Sequence, residues 1–136
     1  MSYAVSGLVR DFRAEGYPQD VPLVPHGISV IVNAPVLFRH TAQACPERHL
    51  RAAAWLGADV RNLGLEHAAE ALAGRIIELM RATGMPNGLA GLGYTEDDIP
   101  ALTDGAYPQK RLLDNATLPI GKETLAGLFR DALRYW

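Results

Sequence analysis

Residues 27–44, "GISVIVNAPVLFRHTAQA", are the most apolar run of the chain, and two patterns compete for them. β-Branched residues at positions 28 and 30–32 would suit a buried strand. The run nevertheless continues past the roughly 4–8 residues of an ordinary strand before Pro46 stops it. Because it is apolar nearly all round, its pattern is that of a helix buried on every side. A helix from Gly27 to about Ala44 is therefore predicted, and with it an all-helical protein. Ser29, Asn33 and Pro35 interrupt the run, which falls short of the roughly 20 apolar residues a bilayer crossing needs. At its mouth His26 stands between Pro25 and Gly27, where neither neighbour helps to pack a core. That histidine either caps a buried helix or ligates something.

Beyond this run, "PERHLRAAAWLGAD" places Pro46 in a first helical turn, Glu47 where the helix dipole favours a negative charge, and Gly57 at a C-terminal cap. Leu65, Ala68, Ala69, Leu72, Ala73, Ile76 and Met80 trace one helical stripe that ends at Gly84 before Pro86. "GMPNGLAGLGYTEDD" is dense in turn residues, after which Thr95 or Asp98 caps a short helix carrying Ile99, Leu102 and Ala106. "YPQKRLLDNATLPIG" is expected to be loop. From Lys122 a last helix shows Leu125, Leu128, Phe129, Ala132 and Leu133 on one face. Towards the N-terminus, Val5, Leu8, Val9 and Phe12 predict a helix from Ser2 to Phe12, ended by Gly16 and Pro18. Six helices, no alternating strand and no repeat give an irregular all-α bundle in a single domain, residues 1–136.

The chain has 136 residues, 49 % of them hydrophobic and 21 % charged, which is the composition of a globular domain. Thirteen basic and fifteen acidic residues are dispersed, so no phosphate-tracking surface and no nucleic-acid partner are expected. Cys45 is the only cysteine. It cannot form an internal disulfide, and it suits a reducing, cytoplasmic setting. "MSYAVSGLVRDF" lacks the three regions of a signal peptide, so export is not expected.

A metal site needs at least three converging ligands, and His26, His40, His49 and His67 have no i, i+3 or i, i+4 partner among themselves. Glu96, Asp97 and Asp98 read as an acidic helix start before they read as an acid/base pair. Glu47, Arg48 and His49 of "PERH" read as a solvated helix start. The basic pair of "PQKRLL" offers a meeting point for an acidic substrate. No nucleophile elbow, phosphate-binding glycine motif or Walker loop is present, so composition and spacing name no catalytic residue.

Taken in order, "MSYAVSGLVRDF", "VPLVPHGISVIVNAPVLF", "CPERHLRAAAWLGAD", "GMPNGLAGLGYTEDDIPAL" and "PQKRLLDNATLP" resemble the C-terminal helical domain of the iron-containing alcohol dehydrogenases, a dehydroquinate synthase-like fold. Within that family the likeness is to the hydroxyacid-oxoacid transhydrogenase type, and it runs the length of the chain. The resemblance implies that His26, in "PHG", is the last of four ligands to one divalent metal, iron or else zinc. It also implies NAD as the hydride carrier of the complete enzyme. The other three ligands, an aspartate and two histidines, would lie upstream, the nearest of them two residues before Met1. The dinucleotide-binding domain would lie further upstream still. The chain departs from the family pattern at Val21, where relatives of this type tend to have a histidine, and at Arg39 and His40, where many members have asparagine after the phenylalanine, so the resemblance does not name the substrate.

The resemblance therefore implies a metal-half-site domain of an oxidoreductase acting on CH–OH groups, inactive as an isolated chain. Its partner would be an N-terminal nucleotide-binding domain, either in the same polypeptide or as a separate chain. The expectation of another class is a helical interaction module, for example a homodimerisation domain.

Overall fold

The computed structural model describes all residues from Met1 to Trp136. Eight α-helices carry the fold: α1 (Ser2–Gly7), α2 (His26–Ile31), α3 (Ala34–Thr41), α4 (Pro46–Trp55), α5 (Ala68–Ala82), α6 (Ile99–Ala106), α7 (Lys110–Leu113) and α8 (Lys122–Asp131). Short 3-10 turns at Leu65–His67, Ala90–Leu92 and Glu96–Asp98 join some of them. The only strand-like pairing is an isolated parallel bridge between Arg13 and Leu23. The protein is all-α, as its apolar pattern predicts.

Helix α5 follows the expected stripe, burying Ala68, Leu72, Ala73, Ile76 and Met80. Leu65 is the exception. It precedes the helix on a 3-10 turn and is exposed. Helices α3 and α4 pack on α5, α6 packs on α8, and α1 packs on both α2 and α6. The core between them contains Val5, Val32, Leu89, Leu102, Leu125 and Phe129, each almost wholly removed from water. Burying a side chain of that size stabilises by about 1.5–3 kcal/mol.

Three predicted elements differ from those observed. The helix expected over 27–44 is two helices, broken at Val32 and Asn33. Pro35, in the first turn of α3, has no N–H to give the Ile31 carbonyl, and its ring crowds that carbonyl. The pair is also not buried all round, because Gly27 and Val30 face outward. Helix α1 stops at Gly7 instead of reaching Phe12. Beyond it the chain is held by side chains: the Arg13 guanidinium donates to the Asp11 and Gln19 carbonyls, both at 2.8 Å, and Gln19 donates to Ala14 and Tyr17. The segment expected to be loop after Pro108 contains the single turn α7.

The caps agree with the sequence. Thr95 and Asp98 form a capping box, with the Thr95 backbone N–H donating to Asp98 Oδ2 at 2.9 Å. No helix is long and apolar enough to cross a membrane.

Two long-range ties position the ends. The Tyr94 hydroxyl donates to the Val5 carbonyl at 2.6 Å, fixing α1 against the turn before α6. Residues 87–90 clamp the C-terminus. Leu89 and Ala90 donate their backbone N–H groups to the Ala132 and Leu133 carbonyls, both at 2.9 Å, and Asn87 Oδ1 accepts from the Tyr135 N–H at 2.8 Å. The Tyr135 hydroxyl then donates to the Val32 carbonyl at 2.8 Å, satisfying a carbonyl at the α2–α3 break. Burial pushes the Tyr135 phenol well above its ordinary range.

Candidate metal-ligand position

His26 is the first residue of α2. Pro25 before it is buried and holds an extended backbone (φ −54°, ψ 144°), so the chain arrives straight and turns into the helix at the histidine. The Ser29 hydroxyl donates to the His26 carbonyl at 2.8 Å and steadies this first turn. The imidazole itself is exposed, with its ring centre 5.9 Å from that of Tyr3. Tyr3 beside it and Val30 one turn further along α2 are exposed apolar residues. Gly27 faces open space, since a Cβ there would meet nothing within 4 Å.

The other three histidines have structural surroundings. His49 is buried beneath α3, where Nδ1 donates to the Cys45 carbonyl at 2.9 Å and Nε2 pairs with the Thr41 hydroxyl at 2.9 Å. Cys45 is half-buried beside it. Buried thus, His49 does not belong to the solvated "PERH" surface that its neighbours suggested, although Glu47 and Arg48 are exposed as expected. His40 is half-buried with Nε2 unpartnered. His67 is exposed beside Glu66. No three His, Cys, Asp or Glu side chains of the chain converge on a point. One exposed imidazole cannot hold a catalytic metal against water, so the donor set of these residues alone does not fit a metal centre.

The carboxylate cluster is likewise structural. Asp98 forms the cap and pairs with Arg10, Glu96 lies 3.4 Å from Arg130, and Asp97 is exposed. Of the basic pair after Gln109, Lys110 sits over the Tyr107 ring at 3.3 Å, whereas Arg111 is exposed. Arg39, one of the departures from the family pattern, makes a two-pronged pair with Glu70 at 2.7 and 2.9 Å and so ties α3 to α5. That bond holds the Glu70 carboxyl below its usual range and the guanidinium above its own.

A cavity of about 430 Å³ opens beside this position, lined mainly by hydrophobic residues of α3, α8 and the 112–120 segment, with Met1, Ser2 and Val30 at its edge. The sequence gives no sign of it, because its walls come from five separated stretches. Only the four-residue spacing of Thr41, Cys45 and His49 hints that these side chains meet.

Comparison with known proteins adds the context. Hydroxyacid-oxoacid transhydrogenase, mitochondrial, from Xenopus tropicalis is 43 % identical over 136 residues, which is all of this chain and 29 % of that protein. The Homo sapiens protein of the same name is also 43 % identical over the same span. The chain thus spans about 29 % of the length of these relatives. Among solved structures, 1,3-propanediol oxidoreductase superposes with a TM-score of 0.77 at 25 % identity, covering 96 % of this chain and 31 % of that one. The archaeal alcohol dehydrogenase ADH/D1 shares the fold, with a TM-score of 0.71. Residues 22–133 match the family described as Fe-containing alcohol dehydrogenase family, C-terminal, and the chain belongs to that family.

Proposed function

We propose that these 136 residues are the C-terminal helical part of an iron-dependent, NAD-linked alcohol dehydrogenase or hydroxyacid-oxoacid transhydrogenase-like oxidoreductase, and that His26 supplies one of the ligands to its metal. The observation that carries this reading is the placement of His26. It is an exposed imidazole, presented by the first turn of a helix on an apolar face. The full match to relatives more than three times as long supports it. When bound, the metal supplies a Lewis acid that polarises the alcohol or carbonyl oxygen. The chain's own residues hold the position: Pro25 brings an extended backbone to His26, and the Ser29 hydroxyl donates to the His26 carbonyl and steadies the turn that carries the imidazole.

The remaining ligands and the dinucleotide-binding fold come from residues outside these 136, upstream in one polypeptide or on a separate chain. In isolation the chain is inactive and binds neither iron, zinc nor NAD tightly. The test compares metal content and NAD-linked 4-hydroxybutyrate oxidation in two preparations: the 136-residue chain, and the same chain joined to or co-expressed with the nucleotide-binding part. The expected result is metal and activity only in the second preparation, with His26→Ala lowering metal affinity there by at least about 100-fold. Turnover by the 136-residue chain alone would sink the proposal. We assign the protein to the cytoplasm from its lone thiol and nicotinamide chemistry, which cell fractionation tests directly, since the animal relatives are named as mitochondrial.

A second reading, a self-associating helical module, draws on the exposed Tyr3, Val30 and Leu112. A monomer by size-exclusion chromatography that binds no hydrophobic dye would exclude it.

A further inference from the structure

The cavity of about 430 Å³ between α3, α8 and the 112–120 segment has the character of one half of a packing interface. Leu37, Leu113, Ile120, Leu125 and Leu128 form most of its walls, and no Asp, Glu, Lys or Arg side chain contributes to them. The polar groups of the wall are bonded within the chain, His49 to the Cys45 carbonyl and the Thr41 hydroxyl, and the Asn33 amide to the Ser29 carbonyl. What the walls offer an occupant is apolar surface. That surface continues onto the rim, where Val30 of α2 and Leu112 of α7 are exposed. Helix α7 buries none of its four residues, so Leu112 and Leu113 line the cavity without being covered. A small ligand filling the interior would leave Val30 and Leu112 in water. A stretch of polypeptide crossing the mouth covers rim and interior together, as an apolar stripe does in a groove.

The position of the chain's entry selects that stretch. Met1 and Ser2 stand at the edge of the cavity, so a residue joined to Met1 begins there. Burial lowers the pKa of the Met1 α-amino group, so this place disfavours a charged group and suits an uncharged peptide bond. The relatives are more than three times as long, and the family segment matched is their C-terminal one. Covalent attachment gives an adjoining segment an effective concentration on the order of mM, above that of a second copy in dilute solution.

We propose that the residues directly upstream of Met1 cross the mouth of this cavity and pack an uncharged, apolar stripe on Val30, Leu112 and the leucines behind them. Val30 lies one turn after His26 on α2, so the same contact holds the candidate ligand against the part of the enzyme that supplies the others. The existence of an upstream part rests on the function proposed above. The apolar cover rests on the walls and rim of the cavity.

The experiment measures alkylation by iodoacetamide, thiol by thiol, in the 136-residue chain and in the same chain joined to the upstream part of the polypeptide. Three thiols are followed: Cys45 in the wall, Leu112→Cys on the rim, and Glu47→Cys, which is exposed and outside the cavity. Cys45 and Leu112→Cys are expected to react at least about tenfold more slowly in the joined protein, while Glu47→Cys keeps its rate. Leu112→Asp, which places a charge under the cover, should restore most of the lost Cys45 rate.

Unchanged Cys45 and Leu112→Cys rates in a joined protein that binds metal overturn the docking surface and leave the proposed function standing. Protection without metal binding supports the docking surface and refutes the role of His26. Equal slowing of Glu47→Cys overturns the proposal, because the effect is then not local to the cavity. Protection already present in the 136-residue chain and lost on dilution overturns it in favour of a second copy as the occupant.

Discussion

At the scale of single residues, four histidines that look alike in the sequence divide into one candidate ligand and three with structural surroundings. His26 is exposed and packs only against Tyr3, so His26→Ala should change folding stability by no more than about 0.5 kcal/mol. Urea denaturation checks this, and a larger loss would mean that the imidazole supports the fold. His49 is the opposite case. Its removal breaks the pairings with Thr41 and the Cys45 carbonyl and empties a buried volume, so His49→Ala should cost about 2–4 kcal/mol in the same measurement. Both histidines follow a proline closely, but only His49 is followed at i+3, i+4 and i+7 by apolar residues, Ala52, Ala53 and Leu56, so periodicity could have placed it on the inner face of its helix. The "PHG" resemblance singled out His26. The burial of His49 is completed by Phe38 and Thr41 of α3, which lie far from it in local pattern.

At the scale of elements, the helices that could be read from the sequence are those whose burial has a single partner face. Helices α5 and α8 present one stripe to the core and appear with nearly the expected residues. The elements that differed are governed by one residue or by distant contacts. Pro35 divides the apolar run, and the side chains of Arg13 and Gln19 replace the expected end of α1.

The union of α3 with α5 yields a prediction about pH. Arg39 lowers the Glu70 pKa from its ordinary 4.5. A carboxyl depressed by folding contributes stability above its unfolded pKa and loses it as pH falls through the folded value. Because Glu70 is 68 % exposed, the contribution is only about 0.2–1 kcal/mol. Glu70→Gln should therefore be slightly less stable than the natural chain at neutral pH, and the gap should close in acid below the depressed pKa. It should also shrink in about 1 M salt. Parallel urea titrations measure it, and a gap that widens in acid would refute the assigned pairing.

At the scale of the whole molecule, the fold is closed by a contact that joins residues almost fifty positions apart. "PNGLA", residues 86–90, reads in the sequence as a turn and nothing more, yet its backbone receives the carbonyls of Ala132 and Leu133 while Asn87 holds the N–H groups of Tyr135 and Trp136. Gly88 makes this possible for two reasons. Its φ is +61°, and a Cβ would collide with the same two carbonyls that the neighbouring N–H groups must reach. Gly88→Ala therefore meets backbone strain of about 1–3 kcal/mol and must also push the C-terminal segment away. That segment carries Tyr135, whose hydroxyl satisfies Val32 at the α2–α3 break, so the disturbance should pass from the C-terminus to the helix that begins at His26. Hydrogen exchange is the measurement to make. In Gly88→Ala the Leu89 and Ala90 amides should lose protection first, with faster exchange at Asn33 and Val36 and little change in the Ala73–Met80 part of α5. If exchange rose uniformly through α5, the clamp would instead be part of one global unfolding unit, and the site-bearing end of the molecule would have no local stability of its own.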